Sequence, residues 1–288
     1  MILKNYKTSE NSTIFEALKK IFPDSSNTTI RNLLKKRRIY VDNVLIVNAK
    51  EIIEKDKTIS IHEIIKKSPS GVKIIFEDEH ILVINKPEGL LSVPLDEEKT
   101  ENALSILRKY FSTKNIFVVH RIDKKTSGVM MFAKNQKAID KLNLMFKNHE
   151  LKRAYLAIVE GNLKENEGVW KSYLTENKEY NVRSVENEEE GKIAITHFSV
   201  IRRSKHFTYL KLNLETGRKH QIRVHCKDSG HPILGDKRYS PSSSPISRMC
   251  LHSYFLEFLH PITGKKMSFS APIPQSFKKL GVIKFSNE

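Results

Sequence analysis

Alternating hydrophobic and polar positions divide the chain into a short helical part and a long strand-rich part. Apolar residues recur at helical spacing over residues 14–21, the pattern of an amphipathic helix. A second short helix is expected to begin near Thr28, whose hydroxyl can cap it. Strand-like segments follow at residues 39–42 and 58–61. We therefore predict a small α/β domain at residues 13–65.

The chain after residue 65 has the pattern of a larger sheet. Residues 66–72 have the Lys, Ser, Pro and Gly content of a linker. Apolar runs typical of strands then dominate, and the clearest helical spacing lies at 138–149. The second domain, residues 73–288, is therefore predicted to be α+β, with a mixed but mainly antiparallel sheet and flanking helices. Its strands are expected at residues 74–76, 81–84, 116–119, 129–133, 152–161 and 209–215.

The charge of the chain narrows its possible partners. Fifty basic residues against 33 acidic ones give a formal net charge of +17. Excess lysine can serve solubility alone, but charge of one sign also concentrates phosphate near a surface. On charge alone, a nucleic acid and a membrane surface are the main candidate partners.

One basic cluster lies at the end of the second predicted helix. Five of the eight residues at 31–38 are basic: Arg31, Lys35, Lys36, Arg37 and Arg38. A solvated helix end is the usual reason for such a run. Because this cluster lies between a helix and a hairpin in an already basic chain, we interpret it as a surface for RNA phosphates.

Cysteine content and hydropathy indicate a reduced, cytoplasmic protein. Only Cys226 and Cys250 occur, so neither a disulfide framework nor a zinc cluster is implied. The N-terminus lacks the apolar core of a signal peptide. No apolar stretch has the length of a membrane span.

A single carboxylate stands out within residues 120–128. Asp123 lies between the apolar segments 116–119 and 129–133, with Arg121 two positions before it. Such an Asp is more often half of a structural ion pair than a reactive group. A carboxylate held in a tight turn between two strands is also suited to act as a fixed nucleophile. The segment alone leaves both interpretations open.

Two other segments carry side chains of possible function. Tyr155 lies on the strand predicted at 152–161, where it could pack in the core or stack on a nucleobase. A turn at residues 216–217 is expected to lead into a short basic helix, with Lys219 and Arg223 one turn apart. Such a helix is either an ordinary solvated one or one that directs an Arg toward a carboxylate. The Gly/Pro-containing loop at 230–239 is expected to shape a cleft.

Several chemistries have no signal in the sequence. There is no phosphate-binding Walker loop, no Gly-rich dinucleotide turn and no Gly-x-Ser-x-Gly elbow. The histidines are scattered, without metal-ligand spacing. We therefore expect any reaction to use ordinary side chains, with neither a cofactor nor a metal.

Several motifs in order resemble those of the RluA-type family of RNA pseudouridine synthases. The resemblance covers about residues 73–277. It includes His-Arg-Ile-Asp and Thr-Ser-Gly within 120–128, Ala-Lys-Asn at 133–135, and Gly-Arg-Lys-His-Gln-Ile-Arg-Val-His at 217–225. Leu-His, His-Pro-Ile-Thr-Gly and Ala-Pro complete it at 251–252, 260–264 and 271–272.

The resemblance implies an α+β fold with a central cleft, in which a flipped uridine of rRNA or tRNA is isomerised to pseudouridine. It assigns Asp123 as the essential carboxylate, Arg223 as its ion-pair partner and Tyr155 as a ring that stacks on the base. Arg121 would occupy the space that the flipped nucleotide leaves. We expect RNA contacts in the cleft from His120, Arg121, Arg218 and Lys219, and we expect a cytoplasmic monomer without cofactor.

Residues 13–62 more loosely resemble the small RNA-binding domain of ribosomal protein S-four. The sequence departs from that pattern at Asn27-Thr28, Arg37-Arg38 and Lys55. Two other functions compete with catalysis on RNA. One is a non-catalytic RNA-binding or ribosome assembly factor, and the other is a cofactor-free glycosidase. The second is disfavoured because no pair of carboxylates flanks one motif.

Overall fold

A computed structural model of the chain describes residues 2–35, 38–42, 44–46, 48–62, 71–94, 100–240 and 244–280. The chain divides into two compact units, residues 1–68 and 69–288. Most of the predicted linker at 66–72 lies outside the described residues. Within those residues, no helix combines the length and the apolar character that crossing a membrane requires.

The first unit consists of two helices and short antiparallel strands. The helices are α1 (Ile14–Ile21) and α2 (Asn27–Lys35). The strands are β1 (Ile2–Lys7), β2 (Ser12–Thr13), β3 (Ile39–Val41), β4 (Val44–Ile46), β5 (Ile52–Ile53) and β6 (Thr58–His62). Four of them form a sheet in the order β1-β6-β3-β4, and β2 pairs with β5.

The first unit of the structure begins before residue 13, the predicted start of the small domain. Strand β1 pairs antiparallel with β6 from Ile2 opposite His62 to Lys7 opposite Thr58, so the unit includes the first residues of the chain. Residues 2–7 alternate only weakly between apolar and polar. Their strand conformation depends on backbone hydrogen bonds to β6, which no local pattern reveals.

The start of α1 follows from its sequence. Thr13 accepts a hydrogen bond from the backbone N–H of Glu16, and the Glu16 carboxylate accepts one from the backbone N–H of Thr13 at 2.9 Å. This reciprocal capping box satisfies two donors that the first helical turn leaves free. The apolar face of α1 then packs into the core of the unit, whose buried residues include Ile14, Leu18, Ile30, Leu34, Ile39 and Ile59.

The second unit is built around one large sheet. Its helices are α3 (Ala103–Phe111), α4 (Gln136–Lys147), α5 (Gln221–Asp228) and α6 (Gln275–Lys279). Its strands are β7 (Lys73–Glu77), β8 (Ile81–Lys86), β9 (Phe117–Val118), β10 (Ser127–Ala133), β11 (Lys152–Glu160), β12 (Glu167–Glu176), β13 (Val182–Val185), β14 (Lys192–Arg203), β15 (Phe207–Leu214), β16 (Leu251–Leu259) and β17 (Lys266–Ser270).

The strand order is β13-β12-β14-β15-β11-β16-β10-β8-β7, with β9 paired to β10 and β17 paired to β16. All of these pairs are antiparallel except β10 with β16, which is parallel. The prediction of an α+β fold with a mixed, mainly antiparallel sheet is confirmed.

Strand β10 is buried along its whole length. Met130 and Phe132 face one core of the unit, and Val129 and Met131 face a second core beneath α4. A strand covered on both faces has no polar alternation, which explains the continuous apolar run after residue 128. The loop that carries Asp123 leads directly into this rigid strand.

Gly128 permits the parallel contact between β10 and β16. Its φ angle is +118°, and a Cβ atom there would overlap the backbone carbonyl of Ser253. Gly128 pairs with Ser253, and Ser127 pairs with His252. The Thr-Ser-Gly motif therefore brings two backbones together at the point where the Asp123 loop ends.

Replacing Gly128 with alanine should destabilise the second unit by about 3 kcal/mol or more, because the methyl group meets a backbone that cannot move away. Gly264→Ala is the matched control. Gly264 also has a positive φ, +69°, but open space surrounds its Cβ position. That variant should cost about 1 kcal/mol. Urea unfolding followed by the fluorescence of Trp170 measures both, and equal losses would contradict the prediction.

Candidate active site

A cleft of about 490 Å³ lies in the second unit. Its walls come from the loop at 120–124, the start of β11, and the turn that leads into α5. Seven residues that the sequence predicted for the site line it together: His120, Arg121, Asp123, Tyr155, Arg218, Lys219 and Arg223. The predicted RNA contacts Arg31, Lys35 and Arg38 belong to the first unit, and Lys36 and Arg37 lie outside the described residues.

The loop that carries Asp123 is held through its backbone. The Asp123 carbonyl accepts a hydrogen bond from the backbone N–H of Thr126 at 3.0 Å, which closes a tight turn. The Ser92 hydroxyl donates to the carbonyl of Ile122 at 2.7 Å. On the other side, the Lys124 carbonyl accepts from the backbone N–H of Gly89 at 2.8 Å. The carboxylate itself is 26% exposed and faces the cleft.

Lys86 also holds this loop in place. Its side chain is fully buried, and its ammonium donates to the carbonyls of Pro87, Leu90 and Lys124 at 3.0, 2.6 and 3.3 Å. Burial lowers the pKa of Lys86 to about 7, although the nearby Asp123 and Glu88 charges oppose the shift. Sequence reasoning did not assign Lys86 a role, since a lysine at a strand end is usually solvated.

Arg223 connects two carboxylates. Its Nη1 lies 3.1 Å from Oδ2 of Asp123. Its Nε and Nη2 donate to Oδ2 and Oδ1 of Asp236 at 2.7 and 2.8 Å. Burial lowers the pKa of Arg223, but the hydrogen bonds and charge of Asp236, together with Asp123, raise it by more. The guanidinium is therefore charged and fixed in orientation.

Asp236 was missed by sequence reasoning. It is 2% exposed and lies in the loop at 230–239, which the sequence predicted only to shape the cleft. The available signal was an acidic residue directly after a glycine in a loop that follows the helix of Arg223. Arg223 and Asp236 are 13 positions apart. Their bidentate contact forms only because the loop folds back onto the helix, and sequence spacing alone does not predict that path.

The helix after the turn at 216–217 begins later than predicted. It starts at Gln221, after His220 in a left-handed backbone conformation with φ +52°. Lys219 therefore precedes the helix, and the predicted one-turn spacing of Lys219 and Arg223 on it is wrong. Six of the eight residues of α5, Arg223 included, are buried, so this is not a solvated basic helix.

His220 is a third residue to which the sequence assigned no role, after Lys86 and Asp236. Its Nε2 lies 3.9 Å from Oδ2 of Asp123. The Tyr239 hydroxyl donates to the carbonyl of Val182 at 3.1 Å, so its oxygen accepts from Nδ1 of His220 at 2.9 Å. Burial lowers the pKa of His220 to about 4, opposed by Asp123 and assisted by Arg223. The imidazole is therefore neutral at pH 7, with Nε2 as an acceptor beside the carboxylate.

Tyr155 forms part of the cleft wall from β11. The side chain is buried, and β11 pairs in unbroken register with β15 from Ala154 opposite Asn213 to Glu160 opposite Phe207. The bulge on the other side of β11 belongs to β16, where Tyr254 is the extra residue. Burial raises the pKa of the Tyr155 phenol; the Arg153 charge lowers it and the Asp123 charge raises it. The ring is a neutral, flat surface next to the carboxylate.

His120 lines the cleft with its ring bound to the backbone. Its Nε2 accepts a hydrogen bond from the backbone N–H of Met131 at 3.0 Å. Its ring stacks on Phe146, with centroids 5.2 Å apart. Burial, and then the Arg153 charge, lower the pKa of His120 to about 3. A neutral imidazole bound to backbone supports the wall of the cleft and carries no charge to attract phosphate.

The other predicted contacts lie at the rim. Arg121 is exposed, and among the described residues no side chain pairs with it. Nε of Arg218 donates to the carbonyl of Ile193 at 2.9 Å. Lys219 forms an ion pair with Glu176. Within the described ranges, no group of three or more His, Cys, Asp or Glu side chains is arranged to hold a metal ion.

Comparisons with known proteins agree on one family. A family model described as RNA pseudouridylate synthase matches residues 80–228. The dual-specificity RNA pseudouridine synthase RluA of Pasteurella multocida is 40% identical over 203 residues, covering 69% of this chain and 92% of that protein. The ribosomal large subunit pseudouridine synthase D of Buchnera aphidicola is 30% identical over 290 residues, with 92% and 91% covered.

The chain belongs to the RNA pseudouridylate synthase family. It is therefore an isomerase that forms pseudouridine in RNA, and the alternative of a non-catalytic RNA-binding factor is not favoured. The solved structure of human RNA pseudouridylate synthase domain containing 1 is also similar, with a TM-score of 0.61 at 25% identity, covering 72% of this chain and 85% of that one.

Replacing Asp236 with asparagine should destabilise the second unit by about 3–5 kcal/mol, because a buried guanidinium loses a charged bidentate partner. Pseudouridine formation should fall with it, since Arg223 is then free to turn away from Asp123. Glu257→Gln is the control, because Glu257 pairs with two exposed lysines. This substitution should lower the free energy of unfolding by less than about 1 kcal/mol. Urea unfolding and a pseudouridine assay on the same samples check both. A fully active, fully stable Asp236→Asn variant would contradict the argument.

Proposed function

We propose that Asp123 is the carboxylate on which pseudouridine formation depends. The observation that carries the proposal is its 3.1 Å contact with Arg223, whose other edge is held by Asp236. An ionised carboxylate can add to the nucleotide, or stabilise its ribosyl fragment, while the bond between N1 of uracil and C1′ of ribose breaks. The detached uracil then turns, and its C5 forms the new bond to C1′, which releases Asp123 if it has added there. The C5 proton is lost and N1 takes up a proton, so the product is an isomer of the substrate.

The walls of the cleft have complementary roles in this proposal. The uridine leaves its base stack and enters the cleft at a cost of a few kcal/mol, which contacts to the extruded base offset. The ring of Tyr155 stacks on the uracil and limits its rotation to the plane of the ring. Arg121, exposed at the rim, fills the gap left in the RNA. Arg218 and Lys219 contact nearby phosphates.

The substrate is a folded RNA, either ribosomal RNA or tRNA. Two observations support this class: the net charge of +17, and relatives named for ribosomal large subunit RNA and for dual specificity. We propose that the protein acts as a monomer in the cytoplasm.

The first unit is proposed to bind RNA in the manner of the domain of ribosomal protein S-four. Arg31 and Lys35 are exposed on α2, and the Arg31 guanidinium lies 5.6 Å above the ring of Phe15. This stacking leaves the planar donors of Arg31 directed outward for phosphate. Two cations of the cluster at 31–38 are thus presented from one helix.

Asp123→Asn should bind RNA and form no detectable pseudouridine, because the amide keeps the shape of the carboxylate but carries no negative charge. The measurement is carbodiimide mapping of pseudouridine in RNA from cells that carry the wild-type or the variant protein. Asp140→Asn, an exposed substitution on α4, is the control and should leave every site modified. Wild-type levels of modification by Asp123→Asn would refute the assignment.

Neutralising Lys35, Lys36, Arg37 and Arg38 together should weaken RNA binding and its dependence on salt. Each phosphate contact to single-stranded RNA contributes about 0.7 to the slope of log affinity against log salt. Loss of two or more contacts should therefore flatten the slope by about 1.4 or more. The test measures how tightly the wild-type protein and the variant bind the substrate RNA at several salt concentrations. An unchanged slope would remove the first unit from RNA recognition.

A further inference from the structure

Among the described residues, four arginines line the cleft, and one of them has no role in the chemistry described above. Arg153 lies on β11 two residues before Tyr155 and lines the same cleft. Its guanidinium carbon lies 5.5 Å from the centroid of the Phe146 ring. Its Nη2 donates to the backbone carbonyl of Glu215, at the long distance of 3.3 Å.

The hydrogen-bonding capacity of Arg153 is largely unused. Its Nε is buried and has no hydrogen-bond partner. Among the described residues, no carboxylate pairs with it, and the nearby Glu215 directs its own carboxylate to His197 at 3.4 Å. Arg203, by contrast, donates to four oxygens within 3.0 Å. A half-buried guanidinium with a buried, unpartnered Nε and so few protein partners is unusual outside a binding site.

The surroundings of Arg153 hold it in place without neutralising it. Phe146 presents a ring face, which suits the flat face of a guanidinium and leaves its edge free. Gly217 supplies the space for that edge, since a Cβ atom at Gly217 would lie 2.7 Å from Nη1 of Arg153. Burial lowers the pKa of the Arg153 guanidinium, which is the direction expected for a cation that still lacks its anion.

We propose that Arg153 binds a phosphate group of the flipped nucleotide, an assignment that rests on the function proposed above. Residues two apart on one face of a strand are about 7 Å apart, a separation that the ribose of a single nucleotide spans. The uracil on Tyr155 thus has its own phosphate on Arg153. Phosphate oxygens can accept hydrogen bonds from the unused N–H groups of the guanidinium. The uracil ring carries no negative charge to pair with the guanidinium.

The first test is RNA binding in the Asp123→Asn background, where no turnover occurs. Arg153→Met keeps much of the side-chain length and removes the charge. It should lower affinity about 10- to 100-fold and flatten the salt slope by about 0.7. Lys152→Met is the matched control, since Lys152 is adjacent on β11, exposed, and paired with Glu257. It should change neither quantity. Equal effects of the two substitutions, or none from Arg153→Met, would overturn the assignment.

The second test identifies the phosphate. Stem–loops that contain a uridine modified by the wild-type protein are prepared with one neutral methylphosphonate at each position flanking that uridine. One position should lower the affinity of the Asp123→Asn protein about as much as Arg153→Met does, and combining the two should cost no more than either alone. Independent losses at every position would show that Arg153 supports only the cleft wall, and the proposal fails.

These tests separate the inference from the proposed function. If wild-type protein modifies no uridine, or Asp123→Asn remains active, the proposed function fails first. If the wild-type protein modifies RNA and Asp123→Asn does not, the methylphosphonate result tests only whether Arg153 binds a phosphate. Arg153→Lys provides a folding check, because it keeps the charge. It should retain part of the salt slope and should unfold at a urea concentration close to that of Arg153→Met.

Discussion

The site depends on one arginine that is bound on both sides. Arg223 uses one edge of its guanidinium to hold the fully buried Asp236 and its remaining nitrogen to reach Asp123. A lone ion pair with a partly exposed carboxylate contributes little and leaves both side chains free to move. The second carboxylate removes that freedom, because a bidentate contact fixes the guanidinium plane. The position of Asp123 is thus set by a residue that never faces the substrate.

The backbone also fixes the position of Asp123, from the side opposite Arg223. Gly128 lets β10 and β16 approach closely, while Ser92 and Lys86 bind the carbonyls on either side of Asp123. These contacts come from three separate parts of the chain. A carboxylate fixed through its main chain and through its partner is held in one geometry, which in the proposed function limits the reorganisation that accompanies the reaction.

The sequence was sufficient where a pattern is local or a motif is complete. The continuous apolar run after residue 128 predicted β10, and the ordered motifs predicted that Asp123, Tyr155 and Arg223 would meet. It was insufficient where long-range contacts decide: β1 depends on hydrogen bonds to β6, and Asp236 depends on the fold of its loop. The start of α5 was missed because His220 adopts a left-handed conformation, which few residues other than Gly and Asn signal.

Three basic residues of the cleft differ in how many hydrogen-bond and ion-pair partners the protein gives them, and this difference separates their roles. Arg223 has two carboxylates, so a substrate anion gains little from it. His120 is bonded to backbone and neutral. Arg153 has one long hydrogen bond and a buried, unpaired Nε. A phosphate that binds there supplies acceptors for donors that have none in the free protein. Phosphate binding beside an already neutralised Arg223 leaves Asp123 with its partner, and recognition of the nucleotide does not compete with its chemistry.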